Sequence, residues 1–219
     1  MTFSICATVD GSHGVAVATK AIAVGSTAPF VCRDGAVCTQ STTSTPIGVR
    51  TTRRLADGGR IDEVVTALLE SDPDRALRQV HGVDGAGTTV AVTGSECVSW
   101  AGHREGDGYT VAGNMLVDDG VLEATAETFE ASAGDSLADR LLAALRAGED
   151  AGGDKRGEHA QSAALAVFEP DVARLEHDLR VDEHRDAVTE LERVYEAART
   201  QGGEWHDRYP AVDLRRHPR

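Results

Sequence analysis

Thr2-Phe3-Ser4-Ile5-Cys6-Ala7-Thr8-Val9, then Asp10-Gly11-Ser12, then Gly14-Val15-Ala16-Val17-Ala18-Thr19-Lys20 reads as strand, turn and strand. In the first run Phe3, Ile5, Ala7 and Val9 alternate loosely with Ser4, Cys6 and Thr8, the two-residue period of a strand with two different faces. Asp10-Gly11 is hairpin-turn chemistry, and Gly14 to Ala18 is a short apolar, β-branched run. A hairpin returns Thr19-Lys20 to the start of the first strand, so the spacing predicts a cation beside residue 2. Met1 precedes a small residue and is expected to be trimmed, which leaves Thr2 first. A leading Thr carries a hydroxyl and a free α-amine on one residue, a nucleophile with its own general base.

Working outward, a loop containing Pro29 leads to a third strand, Gly35 to Gln40. The hydroxyl-rich segment Ser41 to Pro46 follows and reads as a loop facing solvent or substrate. Ile47 to Ala56 and Ile61 to Glu70 are predicted helices. The second places Ile61, Val64, Val65, Leu68 and Leu69 on one face. Strands are predicted at Arg75 to Val83, Thr88 to Thr93, Cys97 to Gly102 and Tyr109 to Gly113, with a turn over Arg104 to Gly108. Helices over Asp118 to Ala131 and from Asp135-Ser136 to Ala147 come next. Then come strands at Gln161 to Phe168 and Leu179 to Asp182 and a helix from Asp186 to Thr200. Strands paired by hairpins and helices arriving in pairs imply an α+β fold, a four-layer αββα sandwich of two mainly antiparallel sheets between helix layers. One domain over residues 1–200 is expected, because no Pro- or Ser-rich linker interrupts it, with a peripheral tail at 201–219.

The 219 residues carry a net charge of −14. A nucleic-acid partner is disfavoured, since a polyanion would be repelled. No apolar window spans a membrane and no basic stretch precedes a long apolar run, so a cytoplasmic protein is expected. Acid-rich, Lys-poor composition suits a high-salt interior, where the surface charge is screened; Arg-favouring codon usage would give the same look. Cys6, Cys32, Cys38 and Cys97 lack metal-ligand spacing and read as buried free thiols. Asp10, Asp182 and His184 show no ligand spacing either, so neither a metal nor another cofactor is expected.

Lys20 and Lys155 are the only lysines, and a compact, deprotonatable cation differs chemically from Arg. Lys155 sits in Gly152-Gly153-Asp154-Lys155-Arg156-Gly157. There Asp154, Lys155 and Arg156 could grip a substrate carboxylate or simply form a solvated loop; the spacing is not that of a Walker loop. Gly113-Asn114 at a strand end could offer a backbone N–H and a side-chain amide to an oxyanion, or could be a turn. His103 after Trp100 could be an acid–base or substrate contact, or a structural histidine. Gln40 and Ser41, ending the third strand, are candidate substrate contacts.

An ordered series of stretches resembles the DUF1028 family, bacterial and archaeal proteins assigned to the Ntn-hydrolase (N-terminal nucleophile) superfamily. The series runs through Thr2-Phe3-Ser4-Ile5, Gly14 to Val17 with Thr19-Lys20, Ala23-Val24-Gly25 and Ala36 to Gln40. It continues through Arg78-Gln79-Val80, Trp100 to His103, Gly113-Asn114-Met115-Leu116, Gly152 to Gly157 with Gln161-Ser162-Ala163, and Leu179 to Asp182. The resemblance covers Met1 to Arg199 and implies the same αββα sandwich. Superfamily members hydrolyse amide bonds with an N-terminal Thr, Ser or Cys. The resemblance therefore implies Thr2 as nucleophile, its α-amine as base, and Lys20 as a positive charge that keeps the amine neutral. The expected function is hydrolysis of an amide in a small peptide-like or acylamino substrate, by a protein that self-associates. The alternatives are a non-catalytic ligand-binding or assembly module on the same fold, and a hydrolase that uses Ser4, Cys6 or a metal.

Overall fold

A computed structural model describes residues 1–157, 159–169 and 175–208, with side chains to residue 201. Ten strands and five helices are described. In order they are β1 (Thr2–Val9), β2 (Ser12–Thr19), β3 (Pro29–Cys32), β4 (Gly35–Ser41), α1 (Thr45–Ala56), α2 (Ile61–Glu70), β5 (Arg78–Asp84) and β6 (Thr89–Thr93). The second half comprises β7 (Gly102–Gly106), β8 (Tyr109–Asn114), α3 (Gly120–Ala131), α4 (Leu137–Asp150), β9 (Ser162–Phe168), β10 (Leu175–Val181) and α5 (Ala187–Arg208).

The strands form a six-stranded sheet, β10-β9-β2-β1-β8-β7, and a four-stranded sheet, β3-β4-β5-β6. Every strand pairing in both is antiparallel. Helices α3, α4 and α5 pack on the six-stranded sheet, α1 and α2 on the four-stranded one, and β1 and β8 pack across β4 and β5. This is the expected α+β, four-layer αββα sandwich.

Alternation in β1 produces the layering. Phe3, Ile5 and Ala7 face the helices with Leu122, Phe129, Leu141 and Leu145. Cys6 faces the other sheet with Val15, Val17, Ala36, Cys38 and Val83. A third cluster, with Val37, Ile61, Val65, Leu69 and Val80, seals α1 and α2 onto the four-stranded sheet. Residues two apart on β1 therefore belong to one layer and their neighbours to the next.

Several boundaries differ from the sequence expectation. Pro29–Cys32 is an edge strand, where a missing N–H costs no ladder bond. Arg75–Leu77 is a 3-10 turn ahead of β5. Cys97 to Ala101 lies outside the strands, and β7 instead occupies Gly102–Gly106, with only Asp107-Gly108 as its turn. The polar segment from Ser41 closes quickly: Ser44 N–H donates to Thr39 Oγ1, and α1 begins at Thr45 with Pro46 in its first turn, where no N–H is needed. Helix α5 runs on to Arg208, into the stretch expected to be a tail; residues 209–219 lie outside the described residues.

One packing contact ties the helix layer to the start of β1. A Cβ on Gly148 of α4 would meet Phe3 Cε2 at 2.7 Å and Thr125 Oγ1 at 2.5 Å. Phe3 is completely buried and cannot yield. Gly148→Ala is expected to destabilise by about 1–3 kcal/mol despite the better helix propensity of Ala, measured by urea denaturation. Gly134→Ala, with nothing within 4 Å of the added carbon, should leave the midpoint near the parent's.

Candidate active site

The register of three adjacent strands builds the site. Thr2 pairs with Thr19 on one side and Asn114 on the other. Cross-strand partners point to the same face, with Cβ atoms about 5 Å apart. That face is the one between the sheets: Thr2 Oγ1 lies 2.9 Å from Thr19 Oγ1, and Asn114 Nδ2 donates to Gln79 Oε1 of β5 at 3.0 Å. The result is a row at the end of the six-stranded sheet, hydroxyl, hydroxyl, amide. Thr2 is half-buried; Thr19 and Asn114 are buried.

Met1 fills the space beyond this row. Its carbonyl accepts from Thr19 Oγ1 and from the Lys20 backbone N–H at 3.3 Å. Thr19 spends its single proton there, so Thr2 Oγ1 must be the donor to Thr19 Oγ1. Met1 N lies 3.3 Å from Met115 Sδ and 3.9 Å from Asp154 Oδ2, both ends of that ion pair being buried. Burial is the largest influence on this amine and lowers its pKa. Asp154 opposes the shift, while Arg156 and Lys155 lower the pKa further.

The Gly-rich loop reaches the site because it is stitched to the chain after β8. Asp154 bridges Leu116, Val117 N–H donates to Gly153 O, and Lys155 N–H donates to Met115 O. Lys155 Nζ donates to Ser99 O at 2.9 Å. Asp154 accepts from the Arg156 backbone N–H and from its guanidinium. Its carboxyl is held below the usual range: burial pushes it up, and the Arg156 hydrogen bonds with the amine charge outweigh that. Val98, whose carbonyl accepts from Met115 N–H, and Val117 are exposed beside this loop.

Sequence reasoning missed the residue that connects most of its candidates. Gln79, completely buried, accepts from Asn114 Nδ2 and from Gln40 Nε2, the latter at 2.8 Å. Its own Nε2 donates to Gly113 O at 2.8 Å and Gly102 O at 2.9 Å. Thr93 Oγ1 also lies 2.9 Å from that nitrogen, and His103 Nδ1 lies 2.9 Å from Thr93 Oγ1. Gln40, Gly113, Asn114 and His103 thus meet through one amide. Gln40 is itself only 1% exposed. His103 is exposed on edge strand β7, and Ser41 ends β4 opposite Arg78, away from the row, at φ 67. Thr19, not Lys20, stands across from Thr2; Lys20 lies one residue further, at the rim. The signal for Gln79 was the period-2 polar pair Gln79 and His81 alternating with Val80 and Gly82 inside β5.

His81 continues the network. Ser4 Oγ donates to Gln40 Oε1 at 2.8 Å, so His81 Nε2 donates to Ser4 Oγ at 2.7 Å, and His81 Nδ1 accepts from Thr110 Oγ1 at 2.9 Å. Burial drives the His81 pKa down to about 3, with His103 adding to the fall. The unfolded chain takes up this proton near the ordinary 6.5 and the folded chain does not until about 3. The contribution is therefore complete above pH 6.5 and is lost as pH falls below it, at about 1.4 kcal/mol per unit. His13, lowered chiefly by burial, acts in the same direction. Urea titrations between pH 7 and 5 should show this slope, and His81→Gln should flatten part of it.

Burial raises the pKa of the Cys6, Cys32 and Cys38 thiols, away from the reactive thiolate. Burial pushes Cys6 well up and Cys38 up to about 12, and all four cysteines are free. Among the described residues no cluster of His, Cys, Asp or Glu could hold a metal ion, and no helix is long and apolar enough to cross a membrane. A depression of about 350 Å³ between β7, β8 and α3 is lined by Glu105, Glu123, Glu127 and Glu130 with Arg104 and Tyr109. It lies at the far end of β8 from Asn114 and holds no activated nucleophile.

Fold and site together define a four-layer sandwich protein with a hydroxyl–amide row at one sheet end, closed over by an Asp-Lys-Arg loop. The chain belongs to DUF1028, a family of unknown function, whose model matches residues 2–191. It is similar to the crystal structure of a protein of this family from Silicibacter pomeroyi, at 34% identity and a TM-score of 0.87, over 96% of this chain and 95% of that one. It is also similar to eukaryotic HslV from Trypanosoma brucei, at 11% identity and a TM-score of 0.42, over 76% of this chain and 99% of that one. No curated protein matches the chain.

Proposed function

We propose that this protein is an N-terminal-nucleophile hydrolase that cleaves the amide bond of a small peptide-like or acylamino substrate, with Thr2 as the nucleophile once Met1 is removed. The observation that carries this reading is the Thr19–Thr2–Asn114 row, which sets Thr2 in register between two polar residues at a strand end, its hydroxyl bonded to Thr19 Oγ1. The Thr2 hydroxyl passes its proton to the α-amine and its oxygen attacks the carbonyl carbon. Donors flank the developing oxyanion: the Asn114 amide from β8, and the Thr19 hydroxyl and Lys20 N–H from β2. The C–N bond breaks, the leaving amine takes the proton from the Thr2 ammonium, and an ester on Oγ1 remains. Water, losing a proton to the same α-amine, cleaves the ester and restores the hydroxyl. An α-amine titrates near 8 in water. At the neighbouring Met1 amine burial lowers the pKa, Asp154 opposes this, and Arg156 and Lys155 lower it further; the proposed role of Lys20 is a further positive charge that keeps the Thr2 amine neutral.

A second reading, a non-catalytic binding or assembly module, draws on the burial and bonding of Met1, which suit a chain that keeps it. A panel of chromogenic amides separates the two. A preparation beginning at Thr2 should turn over at least one, and the form retaining Met1 should turn over none; equal inactivity of both excludes the hydrolase.

A further inference from the structure

Met1 occupies its place as a bound ligand would. Its side chain is buried, 6% exposed, among the apolar residues beneath the sheet. Its carbonyl is held by two donors from β2, and its amine faces Asp154, a carboxylate 1% exposed. The residue is covalently joined to Thr2 N, and the Thr2 hydroxyl lies on the same residue. Thr19 Oγ1 contacts both the Met1 carbonyl and Thr2 Oγ1, so the carbonyl of an acyl group carried by Oγ1 starts beside the Met1 carbonyl position at the strand end. Vacating Met1 leaves a seat the size of one amino-acid residue, with an apolar floor, a polarised carbonyl position and a buried acid at the amine position.

We propose that this seat is the acyl subsite, and that the substrates are unblocked α-aminoacyl amides with an unbranched apolar side chain, their ammonium held by Asp154. The inference rests on the hydrolase reading and adds the substrate class to it. Asp154 is suited to the task because it is fixed before any substrate arrives: Arg156 holds both of its oxygens and the Leu116 bridge holds its backbone. A carboxylate so anchored loses little freedom on binding an ammonium. An N-acylated substrate brings an uncharged, bulkier amide to this position and forgoes the ammonium–carboxylate pairing, while Asp154 keeps only Arg156.

The test is calorimetric binding of L-methioninamide and N-acetyl-L-methioninamide to a Thr2→Ala preparation that lacks Met1 and so begins at residue 2, which consumes neither. The free-amine form should bind about 10- to 100-fold more tightly. The preparation retaining Met1 should bind neither at the same concentration. Asp154→Asn should erase the preference while N-acetyl-L-methioninamide still binds, which shows that the seat has survived. Equal affinity for the two amides, or equal binding with Met1 in place, overturns the subsite. Binding is read without turnover, so the two ideas fail separately: selective binding with no amide cleaved by the Thr2 chain removes only the hydrolase, and cleavage indifferent to N-acetylation removes only the subsite.

Discussion

Thr2→Ala is expected to lower amide turnover by roughly 10³-fold or more while leaving the unfolding free energy within about 1 kcal/mol of the parent's. The two effects part because of where Thr2 stands. Its hydroxyl makes one hydrogen bond, to Thr19 Oγ1, and Thr19 retains its own bond to the Met1 carbonyl in the unprocessed chain. The packing of β1 resides in Phe3 and Ile5, which the substitution leaves alone. Thr2→Ser keeps the hydroxyl and should retain most of the rate. Turnover by the Thr2→Ala protein equal to the parent's would exclude the mechanism, and steady-state kinetics on any amide found active decides it.

The second large effect belongs to Gln79. Gln79→Leu removes the acceptor for Asn114 and Gln40 and the donor to the Gly113 and Gly102 carbonyls, all buried between the sheets. Each orphaned buried group costs on the order of 1–3 kcal/mol, so a loss of about 3–5 kcal/mol is expected. In the proposed mechanism Gln79 would position Asn114 and touch no reacting atom. Its effect on catalysis runs through Asn114, whose amide would turn away from Thr2, and should appear as a fall in kcat of about 10²-fold with KM little changed. Gln79→Glu, protonated in this dry setting, keeps an acceptor for Asn114 and one donor for Gly113. It should recover much of the rate if positioning is the role. A uniform loss in both variants that follows only the folded fraction would make Gln79 purely structural.

The sandwich was legible because its layers are written as alternation. Phe3, Ile5 and Ala7 against Ser4 and Cys6, and the faces of α2 and α4, each name the layer they join. The hairpin turn at Asp10-Gly11 fixed the register that brings residues 19 and 20 back to the chain start. The buried polar network was harder to read. Gln40, Gln79 and His81 lie far apart in sequence, and only the packing of one sheet on the other brings them together. A polar residue in a strand otherwise reads as a solvent-facing position. Lys20 shows a finer limit: sequence reading placed a cation beside Thr2, and the hairpin register moves that place to Thr19, because one residue of register exchanges the two faces. Thr19 reads in the sequence only as the neighbour of Lys20, with no role given to it, since a Thr in a strand is ordinary until its neighbour is a nucleophile.

Everything proposed depends on residue 2 standing first in the working enzyme. Intact-mass measurement of the purified protein, taken before and after incubation with an active amide and rapid acid quench, tests this directly. The account predicts a mass lacking one methionine residue and a transient acyl adduct that peptide mapping places on Thr2 and that Thr2→Ala lacks. An active preparation that retains Met1 throughout, or an adduct on any other residue, would contradict it.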